Sequence, residues 1–204
     1  MSITAEQFQH YLDVSMTYSE YRDMTDALLA EGKTTGTNHS EAMIHYTKMN
    51  VTRMNRLDKT TKLLPELTEA LASVKNDQVW LVLTEAWCGD AAQIIPVLSK
   101  IADASPHISI KLILRDEHPD LMDAYLTNGG KSIPKLIALD ASSLTEQFNW
   151  GPRPADAQKV FLELREKYQA DYMKLAEELH LWYAKNKTIS TQREFVDLLR
   201  GVGS

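Results

Sequence analysis

One residue in this chain is equipped for covalent chemistry: Cys88, the only cysteine among 204 residues. It lies in the run Trp87-Cys88-Gly89-Asp90-Ala91. Ahead of it, Val79-Trp80-Leu81-Val82-Leu83 is continuous and apolar, as a strand buried on both faces reads. Behind it, a helix is expected from Ala91 to about Ala104. A sulfur at such a strand-to-helix turn faces free backbone N–H groups and the positive end of the helix dipole, both of which favour thiolate over thiol. The thiolate is the nucleophile of disulfide exchange. A lone cysteine can equally be a small buried hydrophobe, but the strand-to-helix position favours an exposed, reactive sulfur. Asp90 acts both ways: the helix dipole stabilises its carboxylate, and that charge opposes ionisation of the neighbouring sulfur.

Other chemistry-bearing groups have plainer readings. Asp116, Glu117, His118 and Asp120 form the densest cluster of possible metal ligands, yet they read as a strand end followed by a helix cap with Pro119 in the first turn. His39 and His45 are six apart and do not share a helical face. Neither a metal nor a resident cofactor is expected. Trp150-Gly151-Pro152-Arg153-Pro154 reads as a turn that ends a strand and starts a helix, with Trp150 on the core; its functional alternative makes Arg153 an anion-binding group. Asn128-Gly129-Gly130 precedes Lys131, whose charge would point toward a substrate or a small thiol.

The surrounding elements follow from periodicity and punctuation. The first thirty residues read as one helix, opened by a Thr4/Gln7 capping box and carrying Phe8, Tyr11, Leu12, Met16 and Tyr18. Ser40 caps a second helix and Pro65 opens a third. After Lys75-Asn76-Asp77 the pattern becomes strand, helix, strand (Ile108 to Leu114), a short helix at His118-Pro119, a buried strand (Lys135 to Leu139) and an edge strand from Ser143 to Trp150. One long amphipathic helix is expected from Pro154 through Trp182, and a last one capped at Ser190 and ended by Gly201. The outer aromatic residues, Tyr11, Tyr18, Tyr46, Tyr172 and Trp182, are expected to pack the outer helices together. This order predicts an α/β fold, a central mixed sheet covered on both sides. Three regions are expected: an N-terminal helical extension (1–74), a core domain (75–170) and a C-terminal helical extension (171–204) packing with the N-terminal helices.

A net charge of −6 and the lack of a Lys/Arg cluster count against nucleic acid or an anionic membrane as partner. Met1-Ser2-Ile3-Thr4-Ala5-Glu6 lacks the charged and apolar regions of a secretory signal, and a single cysteine cannot form an internal disulfide. A cytoplasmic location is therefore expected. Oligomeric state is not legible in this sequence.

Four stretches resemble one family. Trp87-Cys88-Gly89 is similar to the Trp-Cys-Gly of thioredoxins, and Pro96 falls where that family kinks its first core helix. Asp116-Glu117-His118-Pro119 resembles its strand-to-helix turn, and Lys131-Ser132-Ile133-Pro134-Lys135-Leu136 its cis-proline loop. The resemblance spans roughly Val79 to Phe148. It implies a thioredoxin-like three-layer α/β/α sandwich with central mixed β-sheet, to which the N- and C-terminal helices are extra. It also implies that Ile133-Pro134 lies against Cys88 and offers backbone groups to an extended peptide or a mixed-disulfide partner. On its own, Pro134 could equally be an ordinary trans proline opening a strand. The sequence departs from the family at three positions. Ala91 replaces the second, resolving cysteine, Asp90 replaces the intervening proline, and Val82 replaces the family's buried acid.

Two functions compete. In the first, the chain is a monothiol thiol-disulfide oxidoreductase: Cys88 attacks a protein or small-molecule disulfide, and a low-molecular-weight thiol serves as co-substrate to resolve the mixed disulfide. Trp87, Gly89 and Pro134 would shape that site, with Lys131 and Ile133 binding substrate. In the second, it is a redox-inactive binding module that uses the Pro134 groove. Retention of Trp87-Cys88-Gly89 around the sulfur places the oxidoreductase first.

Overall fold

The computed structural model describes residues 3–202; Met1 and Ser2 of the amino-terminal segment read above, and residues 203–204, lie outside it. Its centre is a four-stranded sheet in the order β2-β1-β3-β4, made of β1 (Gln78–Thr84), β2 (Ile108–Leu114), β3 (Lys135–Asp140) and β4 (Glu146–Trp150). β1 runs parallel to β2, with Val82 opposite Leu112, and antiparallel to β3; β3 and β4 are antiparallel with an irregularity between Ala138 and Leu139. Every residue of β1 is buried, which is why it reads as an unbroken apolar run instead of an alternating one. Helices flank the sheet on both sides as a three-layer α/β/α sandwich.

The helix that matters most is α5 (Gly89–Asp103), which carries Pro96 within it and is buried along almost its whole length. It begins two residues earlier than Ala91, because Cys88 is its N-cap. α3 (Glu41–Thr60) packs along it, and α4 (Pro65–Ala72) starts at its proline as expected. α6 (Pro119–Ala124) follows β2.

Two expected long helices are each broken in two. The first thirty residues form α1 (Ala5–Val14) and α2 (Tyr18–Ala30), separated at Met16. Met16 donates to the Leu112 carbonyl at 2.9 Å and accepts from the Leu112 N–H at 2.7 Å, supplying backbone partners to the outer edge of β2. A helical Met16 would have its own N–H and C=O engaged and leave that edge open. The signal was present: Thr17 and Glu20 form a second capping box.

The stretch after Pro154 likewise divides into α7 (Ala155–Tyr168) and α8 (Tyr172–Asn186). Gln169 takes φ 43°, and the Asp171 carboxylate caps α8 by accepting the Lys174 N–H at 3.1 Å. α8 therefore folds back onto α7 and over the N-terminus of α5. The last helix, α9 (Ile189–Val202), starts before Ser190 and contains Gly201. Ser190 is not its cap: the N–H donates to Asn186 and the hydroxyl to Asp156. β4 is shorter than expected, because Asp140 accepts from the N–H groups of Ser142 and Ser143 and bends 142–145 into a turn.

The outer helices share one core with the sheet. Phe195 of α9 packs against Trp80, Phe148 and Trp150, ring centroids 5.1 to 6.4 Å apart. Tyr11 reaches α6, donating to Asp120, and Tyr18 donates to Asp58 of α3. Tyr172 is the exception among the aromatic residues expected to pack: it is 63 % exposed.

Gln192 ties α9 to the start of α4. Its buried side chain accepts from Leu64 N–H at 2.8 Å and donates to the Lys62 carbonyl at 3.1 Å. Gln192→Ala orphans both backbone groups, so a loss of about 2 kcal/mol is expected in urea unfolding. A loss within about 0.5 kcal/mol would show that water satisfies them equally well.

Candidate functional site

β1 ends at Thr84, and Glu85-Ala86-Trp87 carries the chain to Cys88 at the head of α5. Cys88 Sγ accepts the Ala91 N–H at 3.5 Å and donates to the Ile133 carbonyl at 3.4 Å. The Ile133–Pro134 bond is cis, bringing that carbonyl against the sulfur. Gly151, at φ 118°, presses on the Pro134 carbonyl so closely that no Cβ fits there, and the Gly151–Pro152 bond is also cis.

The sulfur is not exposed. Cys88 is 9 % accessible, and its thiol is pushed up to about 12. Burial is the largest cause and the Asp90 charge the second; the N–H groups of Ala91 and Asp90 oppose them without prevailing. This corrects the expectation of an exposed, thiolate-prone cysteine. The helix terminus is present, as the residues implied, but α8 excludes the solvent that a thiolate needs.

Asp90 is the pin that holds α8 down. Its carboxylate pairs with Arg153 at 2.7 Å and accepts the Tyr183 hydroxyl at 2.8 Å. Asp90 and Arg153 side chains are only 11 % and 15 % exposed. The Arg153 guanidinium also lies 3.9 Å over the Phe161 ring and donates to Gln158. Arg153 is thus a structural cation whose charge is paired from within, although its buried Nε has no hydrogen-bond partner among the described residues, while Tyr183 anchors α8 to the first turn of α5. Farther along α8, His180 sits directly on Gly89, where a Cβ would stand 2.7 Å from its Nε2. Its Nδ1 lies 3.1 Å from Gln93 Nε2, and burial with the surrounding arginines lowers its pKa to about 3.

What remains beside the sulfur is a pocket of about 200 Å³, lined by Cys88, Lys131, Ser132, Ile133 and residues of α8. Lys131, expected to direct its charge toward a substrate or a small thiol, lines it, and its ammonium pairs with Asp123 at 2.8 Å. Arg115 holds the loop from below, donating to the Lys131 carbonyl and lying 4.8 Å over the Trp87 ring. Trp87, Gly89, Asp90, Ala91, Ile133 and Pro134 are therefore gathered around Cys88, but under a helical cover.

Val82 is fully buried in β1. A buried acid does exist three residues on: Glu85 accepts the Asp116 N–H at 2.8 Å, and its other oxygen has no partner among the described residues. Burial raises its pKa. Its hydrogen-bonded oxygen is engaged with the start of the β2–α6 connection rather than with the sulfur. In the Asp116–Asp120 segment, Asp116 pairs with Arg115 and Asp120 accepts from Tyr11.

A family model described as Thioredoxin matches residues 36–180. The chain belongs to the thioredoxin family. The match takes in α3 and much of α8 as well as the sheet, so both walls above the site fall within the thioredoxin region. Among solved structures, a protein of unknown function from Pseudomonas aeruginosa is similar over 98 % of this chain and 99 % of its own, with TM-score 0.62 and 14 % identity. An HIV epitope scaffold is similar over 91 % of this chain and 99 % of its own, with TM-score 0.55 and 17 % identity. At those identities the likeness is one of fold. No curated protein matches the chain. Within this thioredoxin frame the residues that sequence reasoning missed, Tyr183, His180 and Gln93, all belong to the contact between α8 and α5. Their signal was the Gln169-Ala170-Asp171 break, which returns α8 to the site.

Proposed function

We propose that this thioredoxin-family chain is a binding protein that performs no redox turnover in its closed form. The observation that carries this reading is the state of Cys88: a neutral thiol, covered by α8 and hydrogen-bonded to the Ile133 carbonyl, with no second cysteine in the chain. That carbonyl is also the group which the family resemblance assigns to an incoming peptide. With α8 above it and the thiol upon it, the Pro134 groove is not an open peptide channel, so binding is better sought elsewhere on the α3/α8 face.

The monothiol oxidoreductase reading has one observation in its favour, the Ala91 N–H directed at Sγ from the head of α5. It would require α8 to lift. The Cys88 thiolate would then attack a disulfide and release one thiol, and an external thiol would reduce the mixed disulfide, leaving as a new disulfide. An assay with a mixed-disulfide substrate and a supplied small thiol separates the readings. No turnover above the Cys88→Ser variant is expected; turnover lost on that substitution would overturn the non-redox proposal.

A further inference from the structure

Between α3 and α8, above the N-terminus of α5, lies a cleft of about 760 Å³, the size of a small-molecule site. Its wall is apolar: Met43, Tyr46 and Met49 from α3 face Met173, Ala176 and Leu181 from α8. Met173 and Leu181 are 60 % and 50 % exposed, large apolar side chains left open to water at the mouth. Methionines are flexible and polarizable, and suit an unbranched chain that settles among them.

The floor is of a different kind. Arg53 and Arg56 both line the cleft, and neither guanidinium has a carboxylate partner among the described residues. Arg53 donates to Asn50 at 2.7 Å and Arg56 to Gln93 at 3.4 Å, both neutral acceptors. Arg53 is half-buried, and burial together with its neighbour Arg56 lowers its pKa, while the Asp90 carboxylate, which is paired with Arg153, opposes them without prevailing. Arg56 is exposed and keeps its hydration, so the cost of an unpaired cation beside an apolar cavity falls on the half-buried Arg53, and an anion bridging the two would relieve it. Lys174 at the rim is already turned to Asp171, and Glu177, also on the rim, is exposed. His180 adds no charge: with Gln93 donating to Nδ1, the neutral ring carries its proton on Nε2. This positive floor stands in a chain of net charge −6, so it is a local arrangement and not a spillover of overall composition.

We propose that this cleft binds a small amphipathic carboxylate, an unbranched fatty acid of medium length, with its head on Arg53 and Arg56 and its chain along the methionine wall. A planar carboxylate matches the guanidinium fork in two parallel hydrogen bonds. The inference rests on the non-redox binding reading and gives it a site and a ligand class. Because Trp87, Gly89 and His180 also border the pocket at Cys88, an occupant here braces α8 against α5 and keeps the thiol covered.

The test is calorimetric titration of the full chain with decanoate, and with decanol as its uncharged counterpart. Saturable one-to-one binding of decanoate is expected, at least tenfold tighter than decanol, and weakened at least tenfold by Arg53→Gln with Arg56→Gln. Should that double variant melt early, Met173→Glu at the exposed mouth provides the second arm and is expected to weaken decanoate by a similar factor. Equal affinity for decanol, undiminished binding by either variant, or no saturable binding of decanoate would each overturn the site. Cys88-dependent disulfide turnover would overturn the non-redox reading without touching this result, so the two failures are distinguishable.

Discussion

At pH 8, native Cys88 is expected to alkylate with iodoacetamide at least a hundredfold more slowly than the same residue in urea-unfolded chain. The thiol ordinarily titrates at 9.0 and is pushed up to about 12 here, which cuts the thiolate fraction by about a thousandfold, tenfold per unit of pKa. A more basic sulfur is a better nucleophile once ionised, which returns part of that factor, and the cover of α8 removes it again by blocking approach. The rate should climb about tenfold per pH unit from pH 7 to pH 10 without a plateau. A plateau below pH 8, or a native rate within tenfold of the unfolded one, would show a working thiolate and return the monothiol mechanism to first place. The linkage has a definite sign. The folded pKa lies above the unfolded one, so the folded chain holds the thiol proton more tightly. The associated stability is complete below about pH 9 and is lost as pH rises toward 12.

Asp90→Ala is expected to cost about 3–5 kcal/mol of unfolding free energy, because it strips one partner from a buried ion pair. Arg153 would remain as an uncompensated cation in a site only 15 % open, and the Tyr183 hydroxyl would lose its acceptor. For a chain of this length that corresponds to a fall in Tm of roughly 10 °C. The same substitution removes a charge that raises the Cys88 pKa and leaves Arg153, which lowers it. Alkylation of Cys88 should therefore quicken while stability drops, since the lowered pKa and the loosened α8 act in the same direction. Asp90→Ala combined with Arg153→Met should recover much of the stability, since the orphaned cation goes too. A single-variant loss under about 1 kcal/mol would mean that solvent already reaches the pair.

Both results turn on α8, and α8 is what local pattern concealed. Apolar residues such as Leu164, Leu175 and Leu179 continue a helical spacing across 169–171, and the break there depends on Gln169 adopting φ 43° and Asp171 capping a new start. Periodicity reports which face is buried, not whether the axis turns. The missed break at Met16 has a related cause: Met16 suits a helix by spacing, but the open edge of β2 takes its backbone. By contrast, the Val79–Leu83 run and the Pro65 and Pro119 helix starts were legible, because burial of β1 on both faces and proline chemistry act locally, and the Ile108–Leu114 strand, partly exposed at 109–111, was legible from its apolar content.

The chemistry divides along the same line. From the residues alone it follows that this chain carries one sulfur at a strand-to-helix turn, lacks a resolving thiol at Ala91 and has an acid at Asp90. Those are matters of composition and adjacency. Whether that sulfur meets solvent, whether Arg153 binds an incoming anion or Asp90, and whether two arginines of α3 face an apolar wall were decided by residues about sixty to one hundred and thirty positions away. Solvent exclusion and charge pairing depend on what stands across the gap, and only the folded chain brings α8 to Cys88.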